Sequence, residues 1–136
     1  MVETNARPAP ETRRPLSPHL QIYTPMLTMM MSILHRITGA ALYFGTLLLA
    51  WWLIAAATDA RAYATANGVL TSIPGQIVLF GFTWALFNHM LGGVRHMIWD
   101  TGYGMDHPER EYLAQGSLAG GILLTILVWI AIFVLR

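Results

Sequence analysis

The sequence predicts an all-α fold: three transmembrane helices in an up-down-up bundle. Three observations predict it. Of 136 residues, 55% are hydrophobic and only 11% charged, against about 25% charged in a soluble domain. Three apolar runs reach the ~20 residues needed to cross a bilayer core. Short polar stretches rich in Gly, Pro and charge separate them. Cysteine is absent, which excludes from this chain a disulfide frame, a thiolate nucleophile and a cysteine-ligated iron–sulfur cluster. All eight basic residues are arginine and the net charge is +1, so there is no electrostatic footprint for nucleic acid. A metal or cofactor bound by side chains here falls to histidine.

Residues 1–28 read as a cytoplasmic N-terminal segment, with 29–136 the three-helix transmembrane domain. The first twenty residues hold Pro8, Pro10, Pro15 and Pro18 and no apolar h-region, so they are not expected to be a signal peptide. The first span is expected at about 29–57, entered through Tyr23-Thr24-Pro25-Met26. Residues 58–72 form a polar break, after which Pro74 and Gly75 suit a helix start. The second span runs over about 74–98 and a loop over 99–115. The third, about 117–135, has no ionisable residue before Arg136 and reads as a packing helix without chemistry of its own. Arg7, Arg13 and Arg14 in the tail, with Arg95 and Arg110 near the second loop, outweigh Arg61 in the first. The positive-inside rule then puts the N-terminus in the cytoplasm and the C-terminus outside.

Ionisable residues inside a bilayer are costly and are functional candidates for that reason. On a helix, His89, Gly93, His96 and Asp100 fall on nearly one line. Gly92 and Gly93, one turn past His89, leave room for something flat to approach the backbone. A buried haem needs such an imidazole beside such a gap. On the first span, Ser32 and Arg36 share a face at i, i+4, with Gly39 beyond them and His35 to one side. Antiparallel packing brings Ser32, His35, Arg36, Arg95, His96 and Asp100 to one membrane surface. A hydroxyl donor, a permanent cation and titratable groups are what quinone reduction requires. Each signal also has an ordinary reading. A histidine can bond a neighbouring helix, the arginines can snorkel, and Ser32 can bond its own backbone. Asp100 can cap the loop or pair with Arg95. Spacing alone leaves both His35 and His89 available to one haem. Estimated depths, about six and nine residues at about 1.5 Å each, weigh slightly against that pairing and leave it open.

Three motifs now stand together. They are Arg14-Pro15-Leu16-Ser17-Pro18-His19-Leu20-Gln21-Ile22-Tyr23, Ser32-Ile33-Leu34-His35-Arg36-Ile37-Thr38-Gly39, and His89-x-x-x-Gly93-Val94-Arg95-His96-x-x-x-Asp100. In this order they resemble the succinate dehydrogenase cytochrome b subunit, one of two small membrane anchors of complex II, in its mitochondrial and alphaproteobacterial branch. The resemblance covers residues 14 to about 104. It implies that His89 is an axial ligand of haem b, hence bound to the haem iron, with the other axial histidine on the second anchor subunit. It implies ubiquinone-binding roles for Ser32 and Arg36. His35 and Arg36 lie where the family contacts haem propionates. His35, Arg95, His96 and Asp100 are its propionate or proton-path candidates.

The implied function is to anchor succinate:ubiquinone oxidoreductase and pass electrons from succinate oxidation to ubiquinone in the respiratory chain. FAD and iron–sulfur clusters then belong to flavoprotein and iron–sulfur partner subunits. This chain has no nucleotide-binding glycine motif and no cysteine. A bacterial inner membrane is the expected location, a mitochondrial one less so. The competing readings are a purely structural anchor, the anchor of a fumarate reductase working in reverse, and a small proton- or ion-conducting bundle.

Overall fold

A computed structural model describes residues 23–135; the proline-rich tail, most of the first motif and Arg136 lie outside the described residues. Those described form four α-helices and no strand: α1 Leu27–Thr58, α2 Ala60–Thr71, α3 Ile73–Asp100 and α4 Glu109–Leu135. Helices α1, α3 and α4 have 32, 28 and 27 residues and are long and apolar enough to cross a membrane. The three expected spans are therefore present, and each is longer than the sequence suggested.

The stretch expected as a polar break is instead helical, and its composition explains why. Ala60, Ala62, Ala64 and Ala66 are strong helix formers. The Asp59 side chain caps the start, accepting from the backbone N–H of Arg61 at 2.7 Å and Ala62 at 2.9 Å. With 12 residues, α2 is about 18 Å long and too short to span. Ser72 closes it and caps α3, its hydroxyl accepting from Gly75 N–H at 3.3 Å. Helix α4 begins at Glu109, well before the expected 117, because Glu109 and Glu111 fall in its first turn. There they complement the positive end of the helix dipole.

Contacts establish the path of the chain. His89 lies against Thr38 and Gly39, and Phe82 against Gly45. Rising numbers on α1 thus meet falling numbers on α3, and the two are antiparallel. Likewise Arg95 meets Ser117, Asn88 meets Gly121 and Thr83 meets Trp129, so α4 runs back along α3. The α3–α4 seam is built on small residues of α4, with Ala114, Ser117 and Gly121 all buried and Gly121 against the Asn88 backbone. Small residues let backbones approach closely, which is how helices gain packing where lipid supplies no hydrophobic drive. Large side chains such as Ile37, Leu47, Ile54 and Phe133 point outward, as a lipid-wetted surface allows.

Gly45 is the tightest point between α1 and α3, since a Cβ there would fall on the Phe82 ring. Gly45→Val should wedge the helices apart and lower the thermal midpoint of the detergent-purified protein by several degrees, in line with overpacking costs of about 1–3 kcal/mol. Gly81→Ala, where a Cβ meets nothing within 4 Å, should hold or raise it.

Candidate functional site

The site is built on three histidines from two spans. His35 of α1 and His89 of α3 stack face to face, ring centroids 4.0 Å apart and planes 3° from parallel. His96, two turns beyond His89 on the same side of α3, stands 5.3 Å from His35 at 53°. Glycines make room for the stack on both helices. A Cβ on Gly39 would lie 2.9 Å from His89 Cε1, and one on Gly92 would lie 2.5 Å from His35 Nδ1. Each imidazole thus occupies the space of a missing side chain on the opposite helix. The gap expected near His89 is real at Gly92, but what fills it is the chain's own His35. Gly93 faces nothing within 4 Å.

The orientation of His89 follows from its neighbours. Its Nδ1 lies 3.1 Å from the His35 carbonyl oxygen and 3.4 Å from Thr38 Oγ1. A carbonyl only accepts, so Nδ1 carries the proton and donates it. The Thr38 hydroxyl is itself committed as a donor to the carbonyls of Leu34 at 2.9 Å or His35 at 3.0 Å, leaving its oxygen to accept. The Nε2 lone pair of His89 is then the uncommitted one, and Nε2 makes no hydrogen bond among the described residues. A backbone acceptor on one ring nitrogen with the other left bare is the usual arrangement of a metal-binding histidine. Two imidazoles ligating one iron from opposite sides must meet it end-on, with the metal between them. Rings stacked as His35 and His89 are here do not have that disposition.

Arg95 is 2% exposed. One of its N–H groups donates to Ser117 Oγ of α4 at 3.2 Å, and the guanidinium carbon sits 5.0 Å from the centroid of the Trp99 ring. Trp99 is fixed in turn, donating from Nε1 to the Gly104 carbonyl at 2.8 Å and meeting the His96 ring edge-on at 5.2 Å. Gly104 has φ +74° and packs under Leu113, a backbone state glycine adopts without strain. Arg95 therefore does not snorkel.

Ser32 is half-buried and Arg36 exposed. Neither makes a hydrogen bond or ion pair among the described residues, so Ser32 does not bond its own backbone as Thr38 does. Asp100 is exposed and does not pair with Arg95; the one ion pair among the described residues is His107–Glu111 at 3.7 Å. The structure thus gathers His35, His89, His96 and, through Trp99, Arg95, while Ser32, Arg36 and Asp100 stay uncommitted among the described residues. An apolar groove of about 740 Å³ between α1, α2 and α3 is lined by Ala41, Leu48 and Trp52 of α1, about half a turn round from Ser32. It includes no ionisable side chain. Among the described residues no group of three His, Cys, Asp or Glu side chains could hold a bare metal ion.

Sequence reasoning missed Thr38, Ser117 and the platform role of Trp99. Thr38 lies three residues after His35 and one before Gly39, a polar residue inside an apolar run. Trp99 reads from sequence as an interfacial anchor, and Ser117 as a helix start, so their inward contacts had no distinct signal.

Three apolar spans with histidines packed at the seam of two of them define a small polytopic membrane subunit with a site held between helices. The model of the succinate dehydrogenase/fumarate reductase transmembrane subunit family matches residues 10–129, and the chain belongs to that family. It is 46% identical over 121 residues to the succinate dehydrogenase cytochrome b556 subunit of Paracoccus denitrificans, covering 89% of this chain and 93% of that protein. Identity to the subunit of the same name from Rickettsia conorii is 37% over 118 residues, covering 87% and 92%. A mitochondrial succinate dehydrogenase cytochrome B subunit of Schizosaccharomyces pombe is 39% identical over 106 residues, covering 73% of this chain and 58% of that one.

The reciprocal glycine packing has a direct test. Gly92→Val should displace the His35 ring from His89, changing the ring-current shifts of both in spectra of histidine-labelled protein, whereas Gly93→Ala should leave them in place. Equal effects of the two changes would contradict the packing described.

Proposed function

We propose that this chain is the cytochrome b membrane anchor of a succinate:ubiquinone oxidoreductase, holding haem b through His89 and forming part of the ubiquinone-reduction site. The observation that carries the reading is the fixed tautomer of His89, whose Nδ1 proton goes to the His35 carbonyl while Nε2 stays bare. His35, stacked on His89 and so not opposed to it, would not share the haem iron with it, and the other anchor subunit would supply the remaining ligand. The buried nitrogens His35 Nδ1 and Arg95 Nε have no partner among the described residues. When bound, haem b supplies a one-electron redox centre between the subunits.

This chain's own residues do the rest. Ser32, with an uncommitted hydroxyl, donates a hydrogen bond to a ubiquinone carbonyl. Arg36, one turn on, stabilises negative charge growing on the quinone oxygens. His96 and Asp100, both exposed at the end of α3, deliver protons to that end. Flavin and iron–sulfur clusters reside in partner subunits, since this chain has neither a nucleotide-binding glycine motif nor a cysteine. The tail and the 101–108 connection face the cytoplasm of a bacterial inner membrane. The bacterial relatives and the arginine distribution support this placement.

His89→Ala should abolish or alter the low-spin b-type spectrum of the purified complex, and a wild-type complex without b-type absorbance would favour a purely structural anchor. Ser32→Ala should lower ubiquinone reduction about fivefold, the worth of one hydrogen bond of roughly 1 kcal/mol, while dye-linked succinate oxidation is preserved. Loss of both activities together would count against the quinone role.

A further inference from the structure

We infer that Ser117, on the helix read from sequence as inert packing, is a positioning residue that holds the Arg95 cation beside the histidine cluster. The inference starts from an energetic problem. A guanidinium that is 2% exposed within a membrane span keeps its charge, because arginine does not give up its proton at physiological pH. A buried charge is tolerated only where its N–H groups find acceptors. No carboxylate among the described residues forms an ion pair with Arg95, and its Nε has no partner. What it has is the Ser117 oxygen at 3.2 Å and the Trp99 face.

The Ser117 hydroxyl is oriented for this task. Its own hydrogen goes to the Ala114 carbonyl at 2.9 Å, so its oxygen is left to accept from Arg95. Ser117 is 6% exposed, which shuts out bulk water as a substitute. The contact therefore ties the cation to the backbone of α4. From there a chain of contacts reaches the site: Arg95 over Trp99, Trp99 against His96, His96 beside His35, and His35 on His89. Helix α4 fixes the position of one permanent positive charge relative to the imidazoles, and so the field felt by an electron or an anionic group placed there. The part of the inference that concerns haem rests on the function proposed above; the clamp itself does not.

Two readouts on the assembled complex separate them. Labelling with phenylglyoxal, read at Arg95 by peptide mass spectrometry, should rise severalfold in Ser117→Ala and return to the wild-type level in Ser117→Thr, which restores the hydroxyl. Unchanged labelling in Ser117→Ala would overturn the clamp whether or not haem is bound. In a mediated redox titration of the b-type absorbance, Ser117→Ala should weaken electron binding about threefold, a downward shift of about 28 mV at 59 mV per tenfold for one electron. Raised labelling with an unmoved potential would overturn the coupling to the redox group. A wild-type complex lacking b-type absorbance would sink the haem reading and this coupling together, and would leave the labelling result to decide the clamp.

Discussion

The rest of the site depends on the reciprocal fit of two imidazoles into two glycine gaps. His35 lies over Gly92 and His89 over Gly39, so the polar rings become the packing material between α1 and α3. This solves a difficulty peculiar to a bilayer, where an unpaired polar group has no water to turn to. The stack shields the ring faces, and the His35 carbonyl and Thr38 take the one proton of His89 that needs an acceptor. On His89 the ring edge at Nε2 is left over for chemistry. The same feature that holds the helices together therefore selects which nitrogen is available.

The seam between α3 and α4 works on a different principle. There the contact is between small residues, and the polar groups Asn88, Arg95, Ser117 and Thr125 are all buried. Thr125 and Ser117 bond back to carbonyls of their own helix at 2.7 and 2.9 Å, so they bring hydroxyls into the seam at little cost. Arg95 uses one of them. The two seams share α3, which presents His89 to α1 and Arg95 to α4, and this is why one helix carries most of the candidate site. An ion-conducting bundle finds less support here, because these seam hydroxyls are committed to helix backbone.

Much of this was legible in the residues. Span number and type follow from apolar length, and His35, His89 and His96 stand out because ionisable side chains are rare in such runs. What could not be read was direction. Arg95 and Arg36 look alike in sequence, near the same end of neighbouring spans, yet Arg95 turns inward to Ser117 and Arg36 points out. Side-chain direction depends on which flank the third helix covers, and no periodicity in α4 announces that. The missed helix α2 has a simpler cause. Polarity between spans was read as irregular backbone, although alanine spacing and the Asp59 cap favour a helix whatever the surroundings.

The burial of Arg95 against α4 also bears on how the chain reaches the bilayer. Alone, α3 is a poor entrant into lipid, since it carries Asn88, His89, Arg95 and His96, each costly in a bilayer without a partner. The apolar stretch that offsets this is 118–135 in α4, a helix that follows after eight residues, 101–108. During synthesis the second span is thus best committed to the membrane as a hairpin with the third. Its stable insertion has to await α4.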